Sequence, residues 1–286
     1  MIKVFNTRHS FDQFRNALPS TTKIGLVPTM GNLHAGHISL LEKSGRENDI
    51  TILTIFVNPK QFGPTEDFNL YPRTLEADIE KVTNISNNLN SRLKTEIIIF
   101  APKDNAEIYP EIFTTTITVG PMTQILCGKF RPTHFDGVTT VVYRLFAIVK
   151  AHNAYFGQKD FQQCAIIKRM VSDLEIPITL HILPIIRNAE GLALSSRNQY
   201  LSPEENSKAL HLPQTLIKIE KLLTSNQDPS LLVKDELQNK NWDYLEVLDA
   251  GSLNAITKTT KEAVIIGAYR LGTTRLLDNR LVKINA

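Results

Sequence analysis

The predicted fold of this chain depends chiefly on residues 28–37, PTMGNLHAGH. An apolar run at residues 24–27 leads into this stretch, and a helical pattern at residues 38–43 follows it. In an open α/β sheet, phosphates bind where a buried strand ends in such a glycine-containing turn and opens a helix, because backbone N–H groups and the helix dipole point at the anion. The stretch has neither the GxGxxG nor the GxxxxGK[ST] spacing, but it carries His34 and His37 three residues apart. It therefore predicts a nucleotide site that binds phosphates with imidazoles as well as with backbone.

Further apolar runs continue the pattern beyond this stretch. Runs without alternation of apolar and polar residues are typical of parallel strands that are covered on both faces, and helical patterns separate them. This alternation of strands and helices continues to about residue 186 and predicts a Rossmann-like, doubly wound α/β domain. The predicted strands lie at residues 24–27, 50–57, 97–101, 153–157 and 178–183, and the clearest helical pattern lies at residues 138–149.

The rhythm changes after a boundary that we place near Arg187. Ser202 and Pro203 are typical of a helix N-cap and the first helical position. Three strand-like runs then lie close together in the sequence, which favours a small α+β domain with a mainly antiparallel sheet. These runs lie at residues 244–248, 262–269 and 274–279, and the two predicted domains span residues 1–186 and 187–286.

Composition and charge exclude several classes of protein. The chain has 286 residues, of which 42% are hydrophobic and 21% are charged, as in ordinary globular proteins. Its net charge of +3 gives no case for a nucleic-acid surface, and no apolar run approaches the roughly 18 residues that span a bilayer. The first residues lack the apolar core of a signal peptide, so we expect a cytoplasmic protein. Cys127 and Cys164 support neither a disulfide framework nor a cysteine-based zinc site.

Two further loops carry residues that can bind phosphates. In YFGQKDFQQ, residues 155–163, a short strand ends at a glycine, and the ammonium of Lys159 can meet a phosphate at the carboxyl edge of the sheet. The alternative is a surface lysine paired with Asp160. In GLALSSRN, residues 191–198, hydroxyl groups and Arg197 can wrap a triphosphate, whereas a serine-rich loop taken alone is usually an ordinary turn.

Two other segments carry polar side chains without an obvious chemistry. FVNPKQFG, residues 56–63, follows a buried strand and holds the neutral amide of Gln61, and RPTHFDGV, residues 131–138, is a polar turn that enters a helix. Asp78 lies within a helical pattern. Taken alone, both segments are typical of ordinary loops, and Asp78 is typical of a solvated helix carboxylate rather than of a metal ligand.

These segments together resemble the pantothenate synthetase (pantoate–β-alanine ligase) family, and the resemblance covers nearly the whole chain. The family belongs to the nucleotidyltransferases with a HIGH-type signature. In this chain residues 34–37, HAGH, stand for HIGH, and residues 194–197, LSSR, take the place of the KMSKS loop. Five motifs in the same order carry the resemblance, which extends to DYLEVLDAGSL from Asp243: PTMGNLHAGH, FVNPKQFGPTEDFNLYPRT, RPTHFDGV, YFGQKDFQQ and GLALSSRN.

The resemblance implies an AMP-forming acid–amine ligase in the biosynthesis of pantothenate, a precursor of coenzyme A. Pantoate would attack the α-phosphate of ATP to give pantoyl adenylate and pyrophosphate, and β-alanine would then displace AMP. Such a reaction depends mainly on positioning and on charge stabilisation. The resemblance also implies Mg²⁺ together with ATP, small-molecule substrates rather than nucleic acid or membrane as partners, and a homodimer.

The functional residues of the family are carried onto the matching positions of this chain. His34, His37 and Lys159 would be catalytic, with His37 acting as a proton donor or as a hydrogen-bond donor to developing phosphate charge. The implied pantoate-binding residues are Gln61 and Gln163, the implied metal ligand is Asp78, and the implied ATP contacts are Met30, Gly31, Asn32, Leu33, His34, Ala35, Gly36, His37, Gly157, Gln158, Lys159, Asp160, Ile186, Leu194, Ser195, Ser196 and Arg197.

Two alternative functions are open beside this one. The first is another nucleotidyltransferase of the same fold that activates a different acid or makes a dinucleotide. Exchange of pyrophosphate into ATP that pantoate alone stimulates, and amino acids do not, would distinguish it from the ligase. The second is a nucleotide-binding regulatory module, which has no need for Lys159, two acid-binding amides and a phosphate loop together. Ala35 and Gln158 replace glutamates that are frequent in the family, and we expect them to alter local charge without removing the chemistry.

Overall fold

The computed structural model describes residues 2–64, 66, 68–89 and 95–284 of the chain. Thr65 and Asp67 of the motif FVNPKQFGPTEDFNLYPRT lie outside the described residues. Contacts between residues divide the chain into two compact units. The first unit comprises Met1–Gly157 and Ile166–Leu183, and the second comprises Gln158–Ala165 and Pro184–Ala286.

Strands and helices alternate along the first unit. They are β1 (Lys3–Phe5), α1 (Arg8–Ala17), β2 (Ile24–Thr29), α2 (Ala35–Glu47), β3 (Ile50–Ile55), α3 (Leu75–Leu89), β4 (Glu96–Phe100), α4 (Cys127–Phe130), α5 (His134–Val149), β5 (Asn153–Gly157), α6 (Phe161–Asp173) and β6 (Thr179–Leu183). The six strands pair in parallel in the order β1-β4-β3-β2-β5-β6, which confirms the predicted doubly wound sheet. The predicted strands do not include β1, because three residues are too few to show an apolar pattern.

The direction of the strand order reverses between β2 and β5, which pair with each other. From β2 the chain continues to β3 and β4 on one side, and from β5 it continues to β6 on the other. In open α/β sheets, ligands bind outside the carboxyl ends of the strands at such a reversal. The turn after Thr29 and the end of β5 at Gly157 lie at this position of the sheet.

Apolar side chains on both faces of this sheet form the core of the first unit. Val27, Leu53, Ile99 and Tyr155 are fully buried in one cluster. The central strands are continuous apolar runs because both faces are covered, as the absence of alternation predicts. The loops at the carboxyl edge of the sheet therefore start from a rigid base.

The second unit is the smaller α+β domain that the sequence predicts. Its antiparallel sheet has the order β7-β8-β9, and Ser202 caps the first of its helices by accepting a hydrogen bond from the N–H of Glu205 over 3.2 Å. Leu216 and Ile265 are fully buried between helix and sheet. Its elements are α7 (Pro203–Ala209), α8 (His211–Thr224), α9 (Ser230–Glu236), β7 (Trp242–Asp249), β8 (Glu262–Leu271) and β9 (Thr274–Lys283).

The border between the two units differs from the predicted border between residues 186 and 187. It falls between Leu183 and Pro184, and the segment Gln158–Ala165 belongs by its contacts to the second unit. The sequence gives no sign of this exchange, because hydrogen bonds between that segment and β9 join residues 121 positions apart. In the described part of the chain, no helix has the length and apolar character needed to cross a membrane.

Candidate active site

The carboxylate of Asp78 holds the turn between β2 and α2. Gly31 and Asn32 have φ angles of +84° and +51°, and successive N–H groups in such turns form an anion-binding concavity. The N–H groups of Asn32 and Leu33 each donate to Asp78 over 2.8 Å, and the hydroxyl of Thr74 donates to it over 3.0 Å. A carboxylate of the chain itself therefore fills this concavity.

This geometry corrects the interpretation of Asp78 as a solvated helix carboxylate. Its side chain is fully buried, and both of its oxygens accept hydrogen bonds. The ammonium of Lys81 lies 3.9 Å from Oδ1. Because N–H and O–H donors and a neighbouring cation already satisfy this carboxylate, the geometry favours a structural role and gives no support to its role as a metal ligand. Within the described residues, no three His, Cys, Asp or Glu side chains gather as a possible metal site.

His34 and His37 hold each other at the first turn of α2. Nδ1 of His34 accepts a hydrogen bond from the N–H of Gly36 over 3.1 Å, and Nδ1 of His37 accepts one from the N–H of His34 over 3.3 Å. The two rings lie 4.2 Å apart between centroids. Since each Nδ1 acts as an acceptor, the proton of each neutral ring lies on Nε2. Each neutral ring therefore carries its N–H donor at Nε2, in a position that the backbone contacts define.

Gln61 lies in a buried network of amides that fixes its orientation. The amide of Asn58 donates to Oε1 of Gln61 and to the carbonyl of Gly137, each over 3.1 Å. Oδ1 of Asn58 in turn accepts from the hydroxyl of Tyr109 over 2.8 Å. Because Asn58 must donate to the carbonyl of Gly137, its partner atom on Gln61 is the oxygen. The NH₂ group of Gln61 therefore points away from Asn58, and it lies 3.0 Å from the sulfur of Met30.

Burial keeps the hydroxyl of Tyr109, which donates to Asn58 in this network, protonated. Desolvation raises the pKa of Tyr109 far above its ordinary range, against the opposing charge of Arg144. The hydroxyl of Tyr109 therefore remains a donor to Asn58 at every working pH. Asn58 is 1% exposed and Gln61 is 9% exposed, so water competes little for these hydrogen bonds.

A second set of contacts fixes the backbone of Gln61. Nδ1 of His134 donates to the carbonyl of Gln61 over 2.7 Å, and Arg131 donates to Nε2 of the same ring over 3.0 Å. Arg131 also forms a two-point ion pair with Glu66 at 2.7 and 2.5 Å. Burial alone would raise the pKa of Glu66, but the hydrogen bonds and charge of Arg131 outweigh it and hold the pKa below its ordinary value. The segment RPTHFDGV thus supports Gln61 instead of being an ordinary loop.

In the second unit, Lys159 lies in a short 3₁₀ turn, Gln158–Asp160, directly after β5. Its side chain is 20% exposed, and its ammonium lies 3.5 Å from the carboxylate of Asp160. The surface ion pair that the sequence left open therefore exists, but it is long and its lysine is mostly covered. The backbone of the turn is bound to Asn279 of β9.

The loop that carries Ser195 and Arg197 starts from a tight turn after Arg187. Arg187 pairs with the buried carboxylate of Asp278 at 2.6 Å and donates to the carbonyl of Gly191 over 3.0 Å. Gly191 has a φ of +95°, which favours glycine at this position. Oγ of Ser195 accepts a hydrogen bond from the N–H of Arg197 over 3.2 Å and so caps the 3₁₀ segment Ser196–Tyr200.

The remaining predicted residues of the second unit, Gln163 and Ile186, both precede this loop in the sequence. The carbonyl of Ile186 accepts a hydrogen bond from the N–H of Leu194 over 2.9 Å, so that its oxygen is already used. Gln163 lies in α6 and is partly buried. The structure thus groups Met30–His37, Gln61 and Asp78 in the first unit, and it groups Gln158–Asp160, Gln163, Ile186 and Leu194–Arg197 in the second.

Several residues that support these groups were missed by the reasoning from sequence. Asp278 and Asn279 are both 1% exposed, and two consecutive buried polar residues interrupt the alternation expected of an antiparallel strand. That interruption was a usable signal. The residues that orient Gln61 directly or through Asn58, by contrast, are buried or half-buried, come from several segments and carry no joint pattern: Asn58, Tyr109, Arg131 and His134.

Comparisons with known proteins agree with the family that the motifs indicate. The model of the family described as pantoate-beta-alanine ligase matches residues 3–281. The pantothenate synthetase of Acetivibrio thermocellus is 44% identical over 268 residues, which cover 91% of this chain and 92% of that protein.

Two solved structures have the same fold over nearly their whole length. The crystal structure of pantothenate synthetase from Thermus thermophilus has a TM-score of 0.87 and 38% identity, covering 98% of this chain and 99% of that one. The structure of pantoate-beta-alanine ligase from Francisella tularensis, complexed with beta-gamma ATP and beta-alanine, has a TM-score of 0.74 and 33% identity, covering 98% of each chain.

Proposed function

Because the chain belongs to the pantoate-beta-alanine ligase family, we propose that it activates pantoate as an adenylate before the amine attacks. The chain is an enzyme that ligates pantoate to β-alanine at the expense of ATP, as its relatives' names and the ATP complex of one of them support. In the proposed first step, a pantoate carboxylate oxygen bonds to the α-phosphorus and pyrophosphate leaves. In the second, the amine of β-alanine bonds to the acyl carbon and AMP leaves with the bridging oxygen.

The observation that carries the adenylation proposal is the state of the two histidines. Their Nδ1 atoms accept backbone N–H groups, so that Nε2–H is the donor of each ring. A donor of fixed direction stabilises the negative charge that develops on phosphate oxygens in the transition state. We therefore assign His34 and His37 to the phosphates of ATP and give His37 a role as a hydrogen-bond donor. Met30, Gly31, Asn32, Leu33, Ala35 and Gly36 complete the proposed ATP contacts of this turn.

Gln61 is proposed to bind pantoate through its NH₂ group. Asn58 occupies the side-chain oxygen of Gln61, and the amide nitrogen, which lies against the sulfur of Met30, has two N–H groups, so that one of them can recognise an acceptor. A carboxylate or hydroxyl oxygen of pantoate is such an acceptor, and a neutral amide does not reduce the nucleophilicity of the carboxylate as a cation would. We assign Gln163 to the same substrate.

The residues of the second unit are proposed to bind ATP with cations and hydroxyl groups. Lys159 and Arg197 supply charge to phosphate oxygens, and a lysine acts there as a point charge. Lys159 follows β5, which ends at the carboxyl edge of the sheet where its direction reverses. The further proposed ATP contacts in the second unit are Gln158, Asp160, the backbone of Ile186, Leu194, Ser195 and Ser196, and Gly157, the last residue of β5 in the first unit, is proposed to contact ATP beside them.

Mg²⁺ is proposed to arrive with ATP as its phosphate complex. The described residues offer no cluster of three His, Cys, Asp or Glu side chains, and Asp78 already accepts hydrogen bonds from Asn32, Leu33 and Thr74. Mg²⁺ commonly keeps several waters and is held chiefly by substrate phosphates. We therefore expect phosphate oxygens and water, rather than a cage of side chains, to hold this ion.

An isotope experiment tests the adenylate directly. Pantoate labelled with ¹⁸O in its carboxylate is turned over with ATP and β-alanine, and the products are analysed by mass spectrometry. Attack on the α-phosphorus leaves one ¹⁸O in AMP. Label in inorganic phosphate, together with formation of ADP, would refute the adenylate and indicate an acyl phosphate.

We further propose that the chain acts as a homodimer in the cytoplasm. Ile112 and Leu70, both in the first unit, are 87% and 83% exposed, and such apolar side chains are candidates for burial against a second copy. Light scattering coupled to size exclusion measures the mass, and fractionation of the source cells measures the location. A mass of one chain at micromolar concentration would contradict the dimer.

A further inference from the structure

We propose that Asn279 is a positioning residue that sets the location of Lys159 and thereby the rate of adenylation. Its side-chain amide donates to the carbonyl oxygens of Gln158 and Lys159 over 2.9 and 3.0 Å. Its Oδ1 accepts from the side chain of Gln158 over 3.1 Å. One buried side chain thus makes three hydrogen bonds to the short turn that carries Lys159, all within the second unit.

The burial of Asn279 makes these contacts strong determinants of the turn. The residue is 1% exposed in the interior of β9, where it pairs with Ile266 of β8. A buried amide that loses its partners is left desolvated and unsatisfied, so the turn is held at the positions where both carbonyls meet the amide. The Cα of Lys159 is then fixed, and only its four-carbon side chain remains adjustable.

The neighbouring residue on the same strand anchors a second loop. Asp278 accepts two hydrogen bonds from Arg187, at 2.6 and 2.7 Å, and one from the N–H of Asn279 at 2.7 Å. Arg187 also donates to the carbonyl of Gly191, at the turn that leads to Arg197. Two adjacent residues of β9 therefore hold the turn of Lys159 and the start of the loop of Arg197 in one connected network.

Asn279 contributes to the reaction by fixing the position of Lys159, since its own side chain carries no charge. The proposed function, on which this inference rests, assigns Asn279 no contact with substrate, and the amide acts through the backbone of Lys159. A displacement of about 1 Å in a group that meets the transition state can cost about 100-fold in rate. We therefore expect Asn279→Ala to lower kcat of pantoate-dependent pyrophosphate exchange by roughly 10- to 100-fold, on the scale of that displacement.

A double-mutant cycle distinguishes positioning from general destabilisation. If Asn279 acts through Lys159, Asn279→Ala lowers the rate of pyrophosphate exchange strongly in the wild-type background and by less than about threefold in the Lys159→Ala background. Leu276→Ala is the matched control, because Leu276 lies on the same strand, is 4% exposed in the hydrophobic core of the second unit, and has an apolar side chain that takes no part in the hydrogen-bond network above. We expect Leu276→Ala to lower the melting temperature. It should leave the rate of pyrophosphate exchange at room temperature within about threefold of the wild-type rate, since truncation of a core side chain mainly lowers stability.

A structural measurement keeps the inference testable without activity. Amide hydrogen exchange of residues 157–160 is expected to rise in Asn279→Ala and to stay unchanged in Leu276→Ala. Asn279→Thr, which keeps one donor and a residue suited to a strand, is the second variant and is expected to show an intermediate rise. If amide hydrogen exchange of residues 157–160 is the same in both Asn279 variants as in the wild type, the inference is overturned.

The outcomes separate this inference from the function on which it rests. If Lys159→Ala alone leaves pyrophosphate exchange at the wild-type rate, the proposed role of Lys159 fails and the positioning role fails with it. If Lys159→Ala abolishes most of the activity but Asn279→Ala costs the same factor in both backgrounds, the positioning role alone is overturned. A large loss in the wild-type background that disappears in the Lys159→Ala background supports both.

Discussion

The side-chain amide of Asn58 donates a hydrogen bond to Oε1 of Gln61 over 3.1 Å, and this contact turns the NH₂ group of Gln61 away from Asn58, toward the sulfur of Met30. Asn58 cannot turn over, because its nitrogen also serves the carbonyl of Gly137 and its oxygen accepts from Tyr109. In the proposed function, Gln61 is therefore a donor toward pantoate. An acid is recognised by such a donor and is repelled by a carboxylate in the same place.

Gln61→Glu tests this orientation. The introduced carboxylate would keep one oxygen toward Asn58 and present a negative charge where the proposed substrate carboxylate binds. We expect the KM for pantoate to rise about 100-fold, the size expected when a hydrogen bond to a charged group is replaced by repulsion. The KM for ATP serves as the control and should change little. An unchanged KM for pantoate would show that the NH₂ group does not contact the acid.

Asp78→Asn tests whether this carboxylate holds the turn or binds a metal. Asparagine supplies one oxygen for three donors, and its NH₂ group faces a backbone N–H. We expect a loss of about 2–4 kcal/mol in the free energy of unfolding, measured in urea, because a buried charged acceptor is removed from its partners. Raising Mg²⁺ should not restore activity. Full activity at high Mg²⁺ together with wild-type stability would instead identify a metal ligand.

Gly137→Ala tests the close approach that places Gln61 against α5. A Cβ at this position would overlap the carbonyl oxygen of Lys60 and lie 2.6 Å from the backbone nitrogen of Gln61. We expect a loss of about 1–3 kcal/mol and a raised KM for pantoate, because overpacking forces the backbone to move. Gly63→Ala is the control, since its Cβ would meet nothing closer than 3.7 Å among the described residues. Equal stability of the two variants would contradict this account.

The ion pair between Glu66 and Arg131 predicts a pH-dependent contribution to stability. The pKa of Glu66 is lowered in the folded protein, so its contribution is fully present above the ordinary pKa of a glutamate and is lost as the pH falls through the lowered value. We expect Glu66→Gln to cost about 1–2 kcal/mol at neutral pH, as for a charge-assisted and partly buried pair, and much less near pH ~3. Urea unfolding at both values measures the difference. A cost that is independent of pH would mean that the charge of Glu66 contributes nothing.

The fold was predictable because its signals are local. Continuous apolar runs such as Ile50–Ile55 reveal a strand buried on both faces, and Ser202 with Pro203 reveals the start of α7. The turn at His34 and His37 was equally legible, since a strand, a glycine and a helix follow each other directly along the chain. These features need no knowledge of distant contacts.

The supports of the site were not predictable in the same way. Asp78 has the sequence context of an ordinary helix carboxylate, and only the folded chain brings it to the N–H groups of Asn32 and Leu33, 46 and 45 positions away. Asn279 meets the turn of Lys159 across 120 positions. Hydrogen bonds between distant segments leave no periodic pattern, so the sequence identifies the groups proposed to contact substrate more readily than those that hold them.

Pantoate-dependent exchange of labelled pyrophosphate into ATP tests the central claim most directly. We predict that exchange requires pantoate, proceeds without β-alanine, is not supported by amino acids, and falls at least about 100-fold in Lys159→Ala, the scale of removing one preorganised group from a phosphoryl-transfer site. Two matched variants, Lys81→Met and Lys159→Met, each remove an ammonium group and keep an unbranched side chain. Their comparison distinguishes the cation near the turn before α2 from the cation assigned to ATP. Exchange that proceeds without pantoate, or that an amino acid supports equally well, would contradict the account.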